Sequence, residues 1–127
     1  MNLDSRDMGH LASIRTIELT TFGRRSGIPR RIEIWWFHVD GRFIVTGTPG
    51  RRDWLANVLA NPSIVVHVDG DDIDARATQV TDEAFRRRLF TSPDTHWYTT
   101  QAELARLVAE SPVVEIHLPG SQLDGQD

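Results

Sequence analysis

Five arginines stand on two short turns of this chain. Arg24, Arg25 and Arg30 lie on or beside the stretch Gly23-Arg24-Arg25-Ser26-Gly27-Ile28-Pro29, and Arg51 and Arg52 follow Thr48-Pro49-Gly50. A guanidinium is a planar fork of N–H donors that meets phosphate or carboxylate oxygens two at a time. Glycine opens backbone angles closed to other residues and proline fixes one turn dihedral, so these turns hold their cations on constrained backbone. The chemistry expected of them is the grip of an anionic small molecule.

The charge balance agrees. The chain has 127 residues and a net charge of −4, yet seven arginines fall between Gly23 and Arg52, against Glu33 and Asp40. The acidic residues gather at Asp69–Asp74 and in the C-terminal stretch. A protein acidic overall but locally basic suits a small anion better than a polyanion, and nucleic-acid binding ranks last among the readings considered. There are no cysteines, which removes disulfides and thiolate metal sites. The five histidines, His10, His38, His67, His96 and His117, show no i, i+4 pair, and no metal site is expected. No Gly-x-Ser-x-Gly elbow is present, and hydrolase chemistry has no carrier. No apolar run reaches membrane-span length and no secretory pattern opens the chain, so the expected location is cytoplasmic.

The elements that must hold the turns follow from periodicity. Arg15–Thr21 alternates as a strand, and Arg31–Val39 as a longer one, with Ile32, Ile34 and Trp36 on one face and Arg31, Glu33, Trp35 and Phe37 on the other. Asp40-Gly41 is a hairpin signal leading to a strand over Arg42–Thr46. Asp53–Ala60 is expected to be helical, with Asp53 as N-cap and Trp54, Leu55, Val58 and Leu59 as its apolar stripe. Asn61-Pro62 ends it. Ile64–Val68 and Ile73–Val80 form a second hairpin around Asp69–Asp72. Thr81 caps a helix running to about Phe90, a loop containing His96, Trp97 and Tyr98 follows, and Thr100 with Glu103 forms a capping box for a helix to Glu110. Val113–Leu118 is the last strand. The expected architecture is α+β: a small barrel of about six mainly antiparallel strands with short flanking helices. Residues 1–12 form an N-terminal arm, 13–119 the barrel domain and 120–127 a disordered tail.

The stretch Leu19–Arg30, reading LTTFGRRSGIPR, resembles the LTTxGRxSGxPR signature of the deazaflavin-dependent nitroreductase family. Asp53–Pro62, DWLANVLANP, is similar to the family's WxxNLxANP, and the resemblance runs from about Arg15 to Val80. It implies a split β-barrel flavin-binding fold, usually a homodimer, that binds coenzyme F420 and passes hydride from its reduced form to a small quinone, nitro-aromatic or enone-type acceptor. It also implies residue roles. Arg24, Arg25, Ser26 and Arg30 would meet the cofactor's phosphate and acidic tail. The turn Thr46, Gly47, Thr48, Pro49, Gly50, Arg51 and Arg52 would wrap the phosphate and ring edge, with Trp54 and Asn57 near the ring and Trp35 on the substrate side. Nitroreducing members carry several tyrosines near the C-terminus, whereas this chain has only Tyr98 there, beside Leu104 and Leu107. FMN is the alternative cofactor, since it also joins a phosphate to a flat tricyclic ring. A non-catalytic carrier or sensor is the alternative function. No acid–base dyad is evident, in keeping with hydride transfer, where the cofactor supplies the reactive atom. From the residues alone, Trp36 reads as core, Trp35 as either pocket or dimer interface, Trp54 as both core and site, and Asn57 as a helix-surface polar residue.

Overall fold

The computed structural model of the chain describes residues 5–119. The expected tail at 120–127 lies outside the described residues. Helix α1 (Ser5–Ala12) precedes strands β1 (Thr16–Phe22), β2 (Pro29–Val39) and β3 (Arg42–Thr46), helix α2 (Asp53–Ala60), and strands β4 (Ser63–Val68) and β5 (Asp71–Gln79). Helices α3 (Glu83–Thr91), α4 (His96–Thr99) and α5 (Leu104–Glu110) then lead to β6 (Val113–His117).

The six strands close into one antiparallel barrel in the order β1-β2-β3-β6-β5-β4. β2 is shared between two neighbours. Its first part pairs with β1, from Phe22 opposite Pro29 to Thr16 opposite Trp35, and its last part pairs with β3, from Trp36 opposite Val45 to Val39 opposite Arg42. Two tight turns set these registers. Asp40 and Gly41 take φ of 53° and 76°, and Asp69 and Gly70 take 55° and 82°, the pair of positive angles a two-residue hairpin needs to match strand twist. On the outer surface, His67 ties three strands: its Nε2 lies 2.7 Å from Thr20 Oγ1 and its Nδ1 2.7 Å from Asp72 Oδ1.

Strand alternation divides the core in two. Leu19, Trp36, Phe43, Val45, Val66 and Val114 fill the barrel, with Ile32 and Ile34 packed against them. Trp36 stacks on Phe43 and donates its indole N–H to Ile14 O at 2.8 Å. The opposite faces of β2, β3 and β6 carry Phe37, Ile44 and Val113, which pack with Phe85, Leu89, Phe90, Tyr98 and Leu107 from the helices. Strand β3 is therefore buried on both faces, while β5 alternates buried and exposed.

Several local expectations shift. α2 keeps its expected bounds, but its N-cap is Arg52, with Asp53 as its first residue, and Leu59 is 53% exposed instead of joining the stripe. Asp82, not Thr81, caps α3 by accepting from Phe85 N–H. The residues expected to form a loop around His96 form a 3₁₀ turn and α4 instead. Thr100 is consumed at the end of α4, where its hydroxyl donates to Trp97 O, and no capping box forms; Glu103 is the N-cap of α5. Where an N-terminal arm is expected, residues 5–12 are helical and Leu11 reaches the barrel core.

Candidate functional site

The loop from Gly23 to Ile28 joins β1 to β2 and is closed on itself. Gly23 N–H donates to Ile28 O at 2.9 Å, and Gly27 N–H to Gly23 O at 2.9 Å. Gly27 has a φ of +72°, and a Cβ on Gly23 would stand 2.6 Å from Ser26 Oγ, so a side chain at Gly27 would strain the backbone and one at Gly23 would push the Ser26 hydroxyl from its place. Ser26 Oγ accepts from Ile28 N–H at 3.1 Å, which leaves its O–H free to donate outward.

Helix α2 backs this loop through Asn57, and here the surface reading gives way. Asn57 is 4% exposed. Its Oδ1 accepts from Arg24 N–H at 3.2 Å and from the Arg24 guanidinium at 3.1 Å, while its Nδ2 donates to Thr21 Oγ1 at 3.1 Å. One amide thus joins β1, the loop and α2. Between these elements lies a hollow of about 540 Å³, lined by Thr21, Gly23, Arg24, Arg25, Ser26, Arg30, Ile32, Asp53, Trp54 and Asn57. Arg30 stands across the hairpin from Thr21. Trp54 and Ile32 give the hollow an apolar wall.

The cations differ in how far the protein has already used them. Arg24 is committed to Asn57 and lies 3.8 Å from the exposed Asp53 carboxylate. The guanidiniums of Arg25 and Arg30 have no hydrogen-bond or ion-pair partner among the described residues. By contrast Arg31, Arg87, Arg88 and Arg106 each meet a carboxylate. Two unspent guanidiniums facing a hollow with a free serine hydroxyl form a site for an anion with several oxygens.

The second turn is placed differently from expectation. Arg52 Nη2 donates to Thr48 O at 2.8 Å and Thr48 Oγ1 at 2.9 Å, and Nη1 donates to Arg51 O at 3.2 Å. A Cβ at Gly47 or Gly50 would come within 3.3 Å of that guanidinium. The turn is therefore wrapped around Arg52, whose N–H groups are largely spent on it. Thr46 is buried, 4% exposed, and donates to Pro112 O at 2.5 Å. Arg51 and Arg52 line a separate, smaller hollow of about 190 Å³ that shares Arg24 and Asp53 with the first. Gly47, Thr48, Pro49 and Gly50 line neither. The two turns thus adjoin through Arg24 without enclosing one cavity. Trp35 and Tyr98 come together on the outer face of β2, with ring centroids 6.5 Å apart, outside both hollows. Thr21, Gly23, Ile32 and Asp53 are lining residues that the sequence reading did not assign to the site. The pairing of Thr21 with Arg30 across a tight hairpin and the place of Asp53 at the start of α2 were the available signals.

A family model described as F420H2-dependent quinone reductase matches residues 2–116. This chain belongs to that family. It is accordingly an F420-dependent oxidoreductase, and its cofactor is coenzyme F420. Solved structures share the fold of this reductase. One, described as an F420-H2 dependent reductase, is 20% identical, covering 81% of this chain and 94% of its own, with a TM-score of 0.60. A putative pyridoxamine 5′-phosphate oxidase from Listeria innocua is 15% identical over 89% of this chain and 90% of its own, with a TM-score of 0.66. A third, described as a domain-swapped dimer, is 20% identical over 81% and 80%, with a TM-score of 0.60.

The hollow fits the phosphorylated, carboxylate-bearing side arm of that cofactor, since it pairs unspent guanidiniums with an apolar wall. Asn57→Asp tests the placement. The substitution preserves shape and the bonds from Arg24 but puts a negative charge into the hollow. The dissociation constant for F420 is expected to rise about tenfold or more, a loss of about 1.4 kcal/mol per decade, with the melting temperature close to that of the parent. Fluorescence titration reads the first and circular dichroism the second; unchanged affinity would remove the hollow from consideration.

Proposed function

We propose that this reductase holds F420 with its side arm in the Arg24–Arg30 hollow and reduces a small quinone, with nitro-aromatic and enone-type acceptors as related substrates. The observation that carries the proposal is the pair of unpartnered guanidiniums, Arg25 and Arg30, with Ser26 at the mouth of a hollow walled by Trp54 and Ile32. When bound and reduced, the cofactor supplies the hydride. The protein's share is to bind, orient and exclude water. Arg25, Arg30 and Ser26 neutralise the anionic arm, and Asn57 fixes the height of Arg24. The turn stiffened by Arg52 gives the ring a rigid border. The acceptor approaches over Trp35 and Tyr98. The working protein is a cytoplasmic homodimer in this reading, supported by the dimeric description of one neighbour of the same fold.

The test uses the purified chain with F420 and with FMN, each followed by fluorescence, and then reduced F420 with a panel of benzoquinones and naphthoquinones. Micromolar F420 binding, weaker FMN binding and steady oxidation in the presence of a quinone are expected. FMN binding in preference to F420 would assign the site to the flavin. A tight F420 complex that never turns over with any acceptor would make the protein a carrier.

A further inference from the structure

Asp53 is the single acidic residue on a surface otherwise built from arginines. It lines both hollows, the larger with Arg24, Arg25 and Arg30 and the smaller with Arg24, Arg51 and Arg52. No other carboxylate lines either one. Asp53 is the first residue of α2, directly after the turn that carries Arg51 and Arg52, and its side chain is 93% exposed.

Helix stability accounts for only part of this placement. The helix dipole favours a carboxylate in the first turn, but α2 takes Arg52 as its N-cap with no side-chain cap bond, so Asp53 caps nothing. Its charge is not used up either. Arg24 Nη2 stands 3.8 Å from Asp53 Oδ1, beyond hydrogen-bond distance, while Nη1 of the same guanidinium is held by Asn57 Oδ1 at 3.1 Å. The carboxylate accepts no hydrogen bond among the described residues. The Arg51 guanidinium, on the far side of Asp53 from Arg25 and Arg30, likewise has no partner among them. A ligand that filled both hollows would have to cross the place where they meet, and Arg24 and Asp53 mark that place.

We propose that Asp53 is a specificity-determining residue: it confines a bound anion to the Arg25–Arg30 side and keeps extended polyanions from bridging to Arg51. The inference rests on the reading of the larger hollow as an anion site and adds what that site rejects. Five guanidiniums on adjoining turns would otherwise attract any chain of phosphates, because each added anionic group finds another fork of donors. A carboxylate where the hollows meet opposes this selectively. A compact anion on Arg25, Arg30 and Ser26 lies to one side of it, whereas an extended one must lay charge directly against it, and the repulsion grows with every charge brought close. Discrimination by a repulsive group set against the wrong ligand needs no loss of contacts to the right one. Because Asp53 is exposed, the effect is screened by salt.

The experiment uses the purified chain without F420. Inorganic phosphate and tripolyphosphate are titrated calorimetrically at low and at high salt, and the ratio of their dissociation constants is the readout. Asp53→Asn is expected to raise the preference for tripolyphosphate about tenfold or more at low salt, with the gain shrinking at high salt. Asp53→Glu, which keeps the charge, is expected to retain the parental ratio. Adding Arg51→Ala to Asp53→Asn is expected to restore it, because the bridge then lacks its far end. The same ratio in the parent and in Asp53→Asn would overturn the proposal, as would a gain that Asp53→Glu shares or that survives Arg51→Ala. A merely structural role at the start of α2 would change the melting temperature and weaken both anions alike, leaving the ratio where it was. Since no F420 is present, its failure to bind leaves this ratio readable, and an unchanged ratio leaves the larger hollow standing as the cofactor site.

Discussion

Replacing Arg25 and Arg30 together by alanine is expected to weaken F420 binding by a factor of about 10² to 10⁴ while leaving the melting temperature unchanged. The two halves of that expectation have one cause. Each guanidinium is unpartnered within the protein and lines the hollow, so its hydrogen-bonding capacity is available to a ligand and absent from the fold. A hydrogen bond to a charged group contributes roughly 1.5–3 kcal/mol. Losing two gives the quoted range, with about 1.4 kcal/mol per decade. Exposed side chains without internal contacts change stability by no more than about 0.5 kcal/mol. Arg31→Ala supplies the control: that side chain pairs with Glu18 across β1 and β2 and stands outside the hollow, so F420 binding should not respond. Calorimetric or fluorescence titration in two salt concentrations reads the result. An affinity for F420 within threefold of the parent would show that the anion is held elsewhere.

How much of this was legible beforehand depends on whether a signal was local. The hairpin at Asp40-Gly41 was readable because positive φ at successive positions is tolerated by few residue pairs; the second was readable from its turn-rich Asp69–Asp72, which the structure tightens to Asp69-Gly70 with β5 starting at Asp71. The bounds of α2 were readable because Asn61-Pro62 stops a helix wherever the rest of the chain goes. The capping box at Thr100 failed for a non-local reason: the residues before it fold back on the outer sheet face through Tyr98, and Thr100 is spent closing α4. The arginines were visible as a cluster, but their division into spent and unspent was not. Arg52 threads back into its own turn, and Arg24 is claimed by Asn57 from 33 residues away. The burial of Asn57 was equally hidden, since a polar residue on a short amphipathic helix looks solvated until the loop that covers it is in place.

The same distinction predicts the largest loss of stability, at a residue that the sequence presents as ordinary surface. Arg86, Arg87 and Arg88 form a run that resembles a solvated helix face. Yet Arg86 lies four residues before Phe90, on the buried side of α3, and is 8% exposed. Its Nε donates to Val108 O at 2.6 Å, Nη1 to Val80 O at 2.9 Å and Nη2 to Ser111 O at 2.5 Å. Two of these carbonyls lie at the C-terminal end of α5, where the last turn has no intrahelical donors and the helix dipole favours a cation. The third ends β5. Burial lowers the pKa of the guanidinium, but an arginine stays charged, and the carbonyl dipoles stand where a carboxylate would otherwise be required. Arg86→Met fills much the same volume and leaves three acceptors without donors, at about 1–3 kcal/mol for each one that water does not reach. A loss of about 3–5 kcal/mol is expected, a large share of the roughly 5–15 kcal/mol that holds a domain together. In thermal unfolding that is a fall of the order of 10–20 °C. Arg87→Met, which breaks only the exposed pair with Glu83, should cost less than about 1 kcal/mol. Equal melting temperatures for the two variants would mean that the α3–α5 junction is held by Phe85, Leu89 and Leu107 alone. A selective loss in Arg86→Met would establish that this cation fastens the helical layer to the barrel, and with it the position of Tyr98 against Trp35.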